Sequence, residues 1–453
     1  MQERWSLLAG YGKVKSNSTS FAGKIVPLNL LSLPIAAPSA VSRVCLDNGL
    51  TLIHHQMTAT DAIAVDVWVK AGAILEPDDA SGMAHFLEHM IFKGSDRLLP
   101  GDFDAIIENH GGTTNAATGQ DYAHFFLVCG AHSLGETLPC LAELLLNAAI
   151  PDEEFERERE VVFEEMRQAY DNPDWLGFQA LLEMVYQRHA YGRSILGTTE
   201  TLMRMTPERL RQFHRSRYQP EHMTVVITGN LSQAEAIQAV SQAFHTFPTP
   251  TPFDPYQSDA EPPIVGIRRQ VLQLPQAEQA RLMLAWIAPG SQSKRDRWSV
   301  KGLDLLSVLL TEGRTSRLVR ELREERNLVL DVSAAVSMQQ DSSIFTITAW
   351  LDPEDLDRVE AIIGDRLSEL THAPITPTEL NRAKRLICND HAFSSESPSQ
   401  IASLYGYNHT LAELEAALTY PDDIRSFVSG DLCNIASQFL SPYHYAAVIV
   451  RPE

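Results

Sequence analysis

The feature that limits this chain most is that it is written twice. Slid against itself by about 225 residues, the sequence lays "IPDEEFEREREVV" from Ile150 on "ITPTELNRAKRLI" from Ile375. Ile150 then meets Ile375, Glu154 meets Glu379, Phe155 meets Leu380 and Arg157 meets Arg382. Upstream, "LDLLSVLLTEGRTSRL" takes the place of "SGMAHFLEHMIFKGSDRL", and each is followed by alternating strand and then helix. At 453 residues the chain exceeds one ordinary domain, so the duplication predicts one α+β unit used twice. The proline-rich "TPTPFDPYQSDAEPP" is the natural linker. It divides the chain into an arm (1–40), a first domain (41–248), a linker (249–263) and a second domain (264–453).

Within the first copy, "VCLDNGLTLIHHQM" and "AIAVDVWVKAGA" read as paired strands, rich in β-branched and apolar residues about a polar turn. A helix is expected around "DFDAIIENHGG", an alternating strand along "TTNAATGQDYAHFFLVCG", and a helix at "LGETLPCLAELLLNAA".

One helix carries a contradiction. From Met83 to Phe92 every side chain is apolar except His85, Glu88 and His89. Burying such groups costs several kcal/mol unless something pairs with them. Positions i, i+3 and i+4 share one helix face, so the three point together. Two imidazoles one turn apart can hold one cation, and zinc takes nitrogen and carboxylate ligands in a tetrahedron that leaves a place for water when the site is catalytic. Glu88 between them is placed to take a proton from that water, the logic of the inverted H-x-x-E-H motif. The second copy has Leu310 where the offset puts His85, so metal chemistry belongs to the first copy alone.

A third ligand must come from elsewhere. The segment "DEEFEREREVVFEEMRQA" holds seven glutamates, and such a run is ordinarily a solvated face. Periodicity separates them: Phe155, Val162 and Ala169 recur every seven residues, and on the same inward stripe stand Glu158 and Glu165. Glu153, Glu154, Glu156, Glu160 and Glu164 fall off it. Either Glu158 or Glu165 could complete a His-His-Glu set, with the other orienting an imidazole N–H. Asp121, His110 and His124 are rival candidates that turn and strand positions explain adequately.

At these residues the chain resembles the inverzincin peptidase family that includes pitrilysin, insulin-degrading enzyme and the catalytic subunit of the mitochondrial processing peptidase. "GMAHFLEHMIFKGS", "GGTTNAATGQDYAHFF", "FEREREVVFEEM", "YGRSILGTTETLMRMTPERLRQFHRSRYQPEHMTVVITGN" and "GRTSRLVRELREERNLV" are similar to family segments, in family order, from about residue 41 onward. The resemblance implies two homologous α/β-sandwich domains of the pitrilysin and processing-peptidase type. It implies that His85, His89 and Glu165 hold Zn2+, that Glu88 is the general base, and that Glu158 supports the ligands. It also implies that the strand around Asn115 and Ala116 takes up substrate backbone by strand addition. The family's second half supplies an arginine followed seven residues later by a tyrosine, which steadies the substrate carbonyl. Here the arginine is Arg323 and the tyrosine position is Leu330. Arg323 therefore reads as part of a salt-bridged face with Arg317, Arg320, Glu321 and Glu324, and a homologous partner subunit carrying the arginine–tyrosine pair is expected.

The expected activity is zinc-dependent endopeptidase cleavage of unfolded peptides or presequences in an enclosed chamber. Two alternatives stand beside it: a non-catalytic assembly subunit of the same fold, and a two-histidine, one-carboxylate iron oxygenase, which has no use for Glu88. With 58 acidic against 37 basic residues the net charge is −21, which opposes nucleic acid and favours cationic peptides. No run of apolar residues is long enough to span a membrane. Five scattered cysteines, Cys45, Cys129, Cys140, Cys388 and Cys433, suggest neither a disulfide framework nor a thiolate metal site, and fit a reducing compartment. A cytoplasmic protein is expected, with an organelle matrix the alternative if the arm, which carries Arg4, Lys13, Lys15 and Lys24 against Glu3, is a transit segment.

Overall fold

Two β-sheets of matching topology organise the chain. The computed structural model describes residues 41–253 and 259–453, so the arm and the middle of the linker lie outside the described residues. The first sheet contains β1 (Ser42–Cys45), β2 (Thr51–Gln56), β3 (Ala62–Val69), β4 (Thr113–Thr118), β5 (Ala123–Gly130) and β6 (Met223–Gly229), in the order β1-β2-β6-β3-β5-β4. The second contains β7 (Ile267–Gln273), β8 (Ala280–Pro289), β9 (Asp331–Ser337), β10 (Ser342–Leu351) and β11 (Tyr445–Arg451), in the order β7-β11-β8-β10-β9. Apart from the extra β1 the two correspond strand for strand in order. Each has a single parallel pair, β2 with β6 and β7 with β11, and each ends on an antiparallel hairpin, β5–β4 and β10–β9. This is an α+β protein of two like units.

The long alternating segment from Thr113 is a hairpin and not one strand. Residues 119–122 turn the chain between β4 and β5, because Gly119 N–H donates to Tyr122 O at 2.8 Å and closes the loop. Gly119, Gln120 and Asp121 interrupt the alternation with turn-forming residues, and a reading as a single strand passes over that signal.

Helices cover both faces of each sheet, and one on each side belongs to the other unit. On the first sheet's inner face lie α1 (Met83–Ile91) and α2 (Asp152–Tyr170), with Phe86 of α1 against Phe155 of α2 at 4.7 Å between rings. The helix that follows, α3 (Pro173–Val185), leaves its own sheet and buries Leu181 and Val185 against Met283, Val448 and Val450 of the second sheet. In return, α7 (Pro398–Leu411) buries Ile401, Ala402 and Tyr405 against Ile53, Ala64, Trp68 and Val226 of the first. Between them in sequence come α4 (Pro207–Arg217), α5 (Lys294–Thr311) and α6 (Pro377–Phe393). The exchanged helices stand at the repeat offset, each begins with proline at its first turn, and each is capped from the residue before, by Asn172 and Ser397.

The exchange demands close approach. A Cβ built on Gly406 of α7 would stand 2.0 Å from Nε1 of Trp68, a rigid and buried ring. Gly406→Val is therefore expected to cost about 2–3 kcal/mol through overpacking. A thermal unfolding curve matching wild type would show that the contact is not tight.

Burial also sets a pH dependence. His214 in α4 is pushed down to about 4 by desolvation, and its Nε2 lies 2.7 Å from Leu145 O, so the neutral ring donates to that carbonyl. Since the unfolded ring titrates near 6.5, the unfolded state binds a proton that the fold refuses as pH falls from 6.5 towards 4. Stability from this group is complete above about 6.5 and declines by about 3 kcal/mol across that window. Urea unfolding of His214→Gln, which keeps an N–H for Leu145 and cannot titrate, should show a shallower slope there than wild type; an equal slope would dismiss the assignment.

All five cysteines are free thiols. Among the described residues no helix is long and apolar enough to cross a membrane.

Candidate metal centre and active site

The catalytic candidates meet where α1 crosses α2 beside β4. Helix α1 enters from Gly82 in the left-handed region (φ 92°), with no cap from its own first residue. Its cap comes from Glu76, whose buried carboxylate accepts from Gly82 N at 2.9 Å and Ala84 N at 2.6 Å. Burial pushes that carboxyl up to about 7, against the two amides and Arg193. Arg193 in turn donates to the carbonyls of Glu76 (2.9 Å) and Ala73 (3.1 Å), so the helix start is pinned on both sides.

From this fixed helix His85 and His89 project towards α2. Their Nε2 atoms each lie 3.4 Å from Oε2 of Glu165. One donor atom from each of the three residues falls within 4.8 Å of the others, the only such group of three or more metal-binding side chains among the described residues. Ligand atoms bound to zinc at ordinary distances in a tetrahedron stand about 3.3–3.6 Å apart, so the donor set and its spacing fit that ion. Nδ1 of His85 is buried with no hydrogen-bond partner, which leaves its Nε2 as the atom with a counterpart.

Glu158 does not join the trio. Its Oε1 lies 2.9 Å from Nδ1 of His89 and its Oε2 2.6 Å from Nζ of Lys93. It thus fixes the ring so that Nε2 faces Glu165, the arrangement in which an outer carboxylate orients a ligand histidine. The electrostatics follow. Burial, with the charge of His89, lowers His85 to about 4 although Glu165 opposes it. Burial also pulls on His89, but the carboxylates of Glu158 and Glu165 outweigh it and raise the ring to about 9. Glu158, despite burial, is held below its ordinary value by His89 and Lys93.

Glu88 stays outside the trio and faces β4. Burial raises its carboxyl, and Thr118 at the end of β4 opposes this by donating its hydroxyl to Oε2 at 2.6 Å. Asn115 and Ala116 lie on β4, the outer strand of the first sheet, whose ladder runs to β5 alone. The rival candidates are engaged elsewhere: His110 with Glu136 at 3.1 Å, His124 with Asp66 at 3.0 Å while stacked on Trp68, and Asp121 with Tyr191 at 2.6 Å.

The second unit shows no equivalent centre. Leu310 and Ala383, at the offsets of His85 and Glu158, are fully buried core. Arg323 lies in a π-helical turn (Val319–Glu325), bound to Glu324 at 3.1 Å and Asp331 at 3.0 Å. Its neighbours pair in the same way: Arg317 with Glu379, Arg320 with Glu325, and Glu321 with Arg366 and Arg326. Leu330 is 56% exposed.

Sequence reasoning missed three residues that build the site. Lys93 is four positions past His89, so helical spacing could have flagged it. Thr118 and Glu76 gave no signal, because their roles depend on tertiary placement.

A two-unit α+β fold that brings two histidines and a glutamate together on one half has the donor chemistry of a metal-binding protein. Residues 51–199 match the family described as Insulinase (Peptidase family M16), and residues 204–387 match the one described as Peptidase M16 inactive domain. The chain belongs to peptidase family M16. It is 27% identical over 421 residues to the zinc protease PqqE of Helicobacter pylori, covering 90% of this chain and 92% of that protein. An uncharacterized zinc protease of Mycobacterium leprae is 30% identical over 351 residues, 77% of this chain and 78% of the relative. Among solved structures, a protease from Helicobacter pylori superposes with a TM-score of 0.85 at 26% identity, covering 92% of this chain and 100% of that one. Pitrilysin shares the fold with a TM-score of 0.78 at 20% identity, and this chain matches 45% of its length.

Proposed function

We propose that this chain is the metal-carrying subunit of a zinc endopeptidase that cleaves unfolded peptides. The observation that carries the reading is the convergence of His85, His89 and Glu165, with Glu88 beside them and outside the donor set. His85, His89 and Glu165 would hold the ion, and Glu158 and Lys93 fix the ring of His89. When bound, zinc supplies a water acidified enough to give up a proton near neutrality and a Lewis acid for the substrate carbonyl. Glu88, anchored through Oε2 on Thr118, receives that proton on Oε1 and returns it to the leaving amine. The open edge of β4 around Asn115 and Ala116 pairs with the substrate backbone, so only an extended and flexible chain can enter. The net charge of −21 favours cationic peptides over acidic ones.

The reading includes a partner. Arg323 is engaged by two carboxylates and Leu330 offers no hydroxyl, so the groups that steady the carbonyl come from a homologous subunit of similar size with the arginine–tyrosine pair. The test is to purify the chain alone and with such a subunit, measure metal content, and assay a quenched basic peptide. About one zinc per chain, with cleavage only in the mixed complex, supports the proposal. Absence of both zinc and cleavage in either preparation would instead assign a non-catalytic assembly role.

A further inference from the structure

The second unit lacks metal ligands, yet its backbone is tied to the general base by a short series of contacts. Thr118, whose hydroxyl holds Glu88 at 2.6 Å, is the residue immediately before the β4–β5 turn. That turn is gripped from two sides. On one, the N–H groups of Ala73 and Ile74 donate to Gly119 O at 3.2 Å and Gln120 O at 2.8 Å. Gly72 packs so closely there that a Cβ would stand 2.3 Å from the backbone of residues 120 and 122. On the other side is Asp121, only 4% exposed. Its Oδ1 accepts from the Tyr191 hydroxyl at 2.6 Å, and its Oδ2 accepts from Gln340 N–H at 3.3 Å. The same Tyr191 oxygen accepts from Asp341 N–H at 3.3 Å. Gln340 and Asp341 belong to the β9–β10 turn of the second unit.

A buried carboxylate that spans two units is costly unless its partners are fixed, and a fixed one holds both in register. We infer that Thr118 is a positioning residue for Glu88, and that the second unit holds it in place through Asp121 and Tyr191. This role rests on the peptidase reading and gives the metal-free half a part in the first half's reaction. Glu88 has one oxygen committed to Thr118, so the other is the one presented for proton transfer. Loss of the hydroxyl frees the carboxylate to rotate while leaving the three metal-binding side chains untouched.

The experiment uses the full chain, with its partner subunit if cleavage requires one. Thr118→Val should lower kcat about tenfold, the scale of a lost hydrogen bond to a charged group, with KM within about twofold and zinc content unchanged. Thr118→Ser should restore kcat, which a purely structural role for the threonine methyl would not allow. Asp121→Asn and Tyr191→Phe should lower kcat in the same direction, and Thr118→Val combined with Asp121→Asn should be no slower than Thr118→Val alone, because both act through one contact. Wild-type kcat in Thr118→Val, or losses that multiply in the double variant, would overturn the inference. Should the wild-type enzyme cleave nothing, the peptidase reading fails separately, and hydrogen exchange still decides the anchor. Asp121→Asn should then speed exchange in residues 113–122 and spare β2 and β3, and an unchanged pattern would sink it.

Discussion

Glu88→Gln should bind zinc as wild type does and cleave peptides slower by a factor of about 10²–10⁴, the range for removal of a positioned general base. The substitution is nearly isosteric. An amide oxygen at the place of Oε2 still accepts from Thr118, and His85, His89 and Glu165 keep their donor atoms, so neither the local packing nor the metal set has cause to change. What disappears is a carboxylate able to take a proton. The measurement pairs metal analysis with kcat for a quenched peptide, in whichever assembly gives wild-type cleavage. A variant that keeps zinc and cuts within tenfold of wild type would remove Glu88 from the mechanism. A variant that loses zinc would show Glu88 to be part of the donor set, contrary to its 2.6 Å contact with β4.

Chelation should act on both activity and stability. Stripping the metal leaves His85 buried, with Nδ1 unpartnered and Nε2 facing only a carboxylate. A ligand present at about 100 to 1,000 times its Kd stabilises the folded state by about 2.7–4.1 kcal/mol. Cleavage should therefore fall to background in excess chelator, Tm should drop by several degrees, and added zinc should restore both. His85→Leu, which installs the residue that the repeat carries at Leu310, should lose cleavage and also lose the chelator-dependent change in Tm. A chelator effect on Tm that persists in His85→Leu would place the responsible metal somewhere other than this trio.

How much of this was legible in the sequence depended on whether a pattern was local. The duplication could be read from Ile150 and Ile375, and the structure repeats it strand for strand, because both copies keep the same order of helices and strands. The His85, Glu88 and His89 face followed from helical spacing, and the stripe on α2 correctly drew Glu158 and Glu165 inward while leaving Glu156, Glu160 and Glu164 exposed. Periodicity could not tell the two inward carboxylates apart. Their difference is one of position along the α1–α2 crossing: Glu165 lies opposite both Nε2 atoms, whereas Glu158 lies opposite Nδ1 of His89 and Lys93. The β4–β5 hairpin is missed when Gly119, Gln120 and Asp121, which break the alternation locally, are read as part of one strand. Glu76, Thr118 and the clamp at Asp121 were invisible because each acts on a residue brought to it by the fold, and Gln340 is more than two hundred positions away from Asp121.

The reciprocal loan of α3 and α7 has a consequence for how such a chain can be dismantled. Severed within 249–263, the polypeptide yields one fragment that has surrendered the helix covering its neighbour and another that has done the same, so each is left with a bare apolar sheet face. Each piece is therefore expected to be unstable when expressed by itself. Mixed together, they are expected to recognise each other by mutual complementation, with a single unfolding transition for the intact chain as the check.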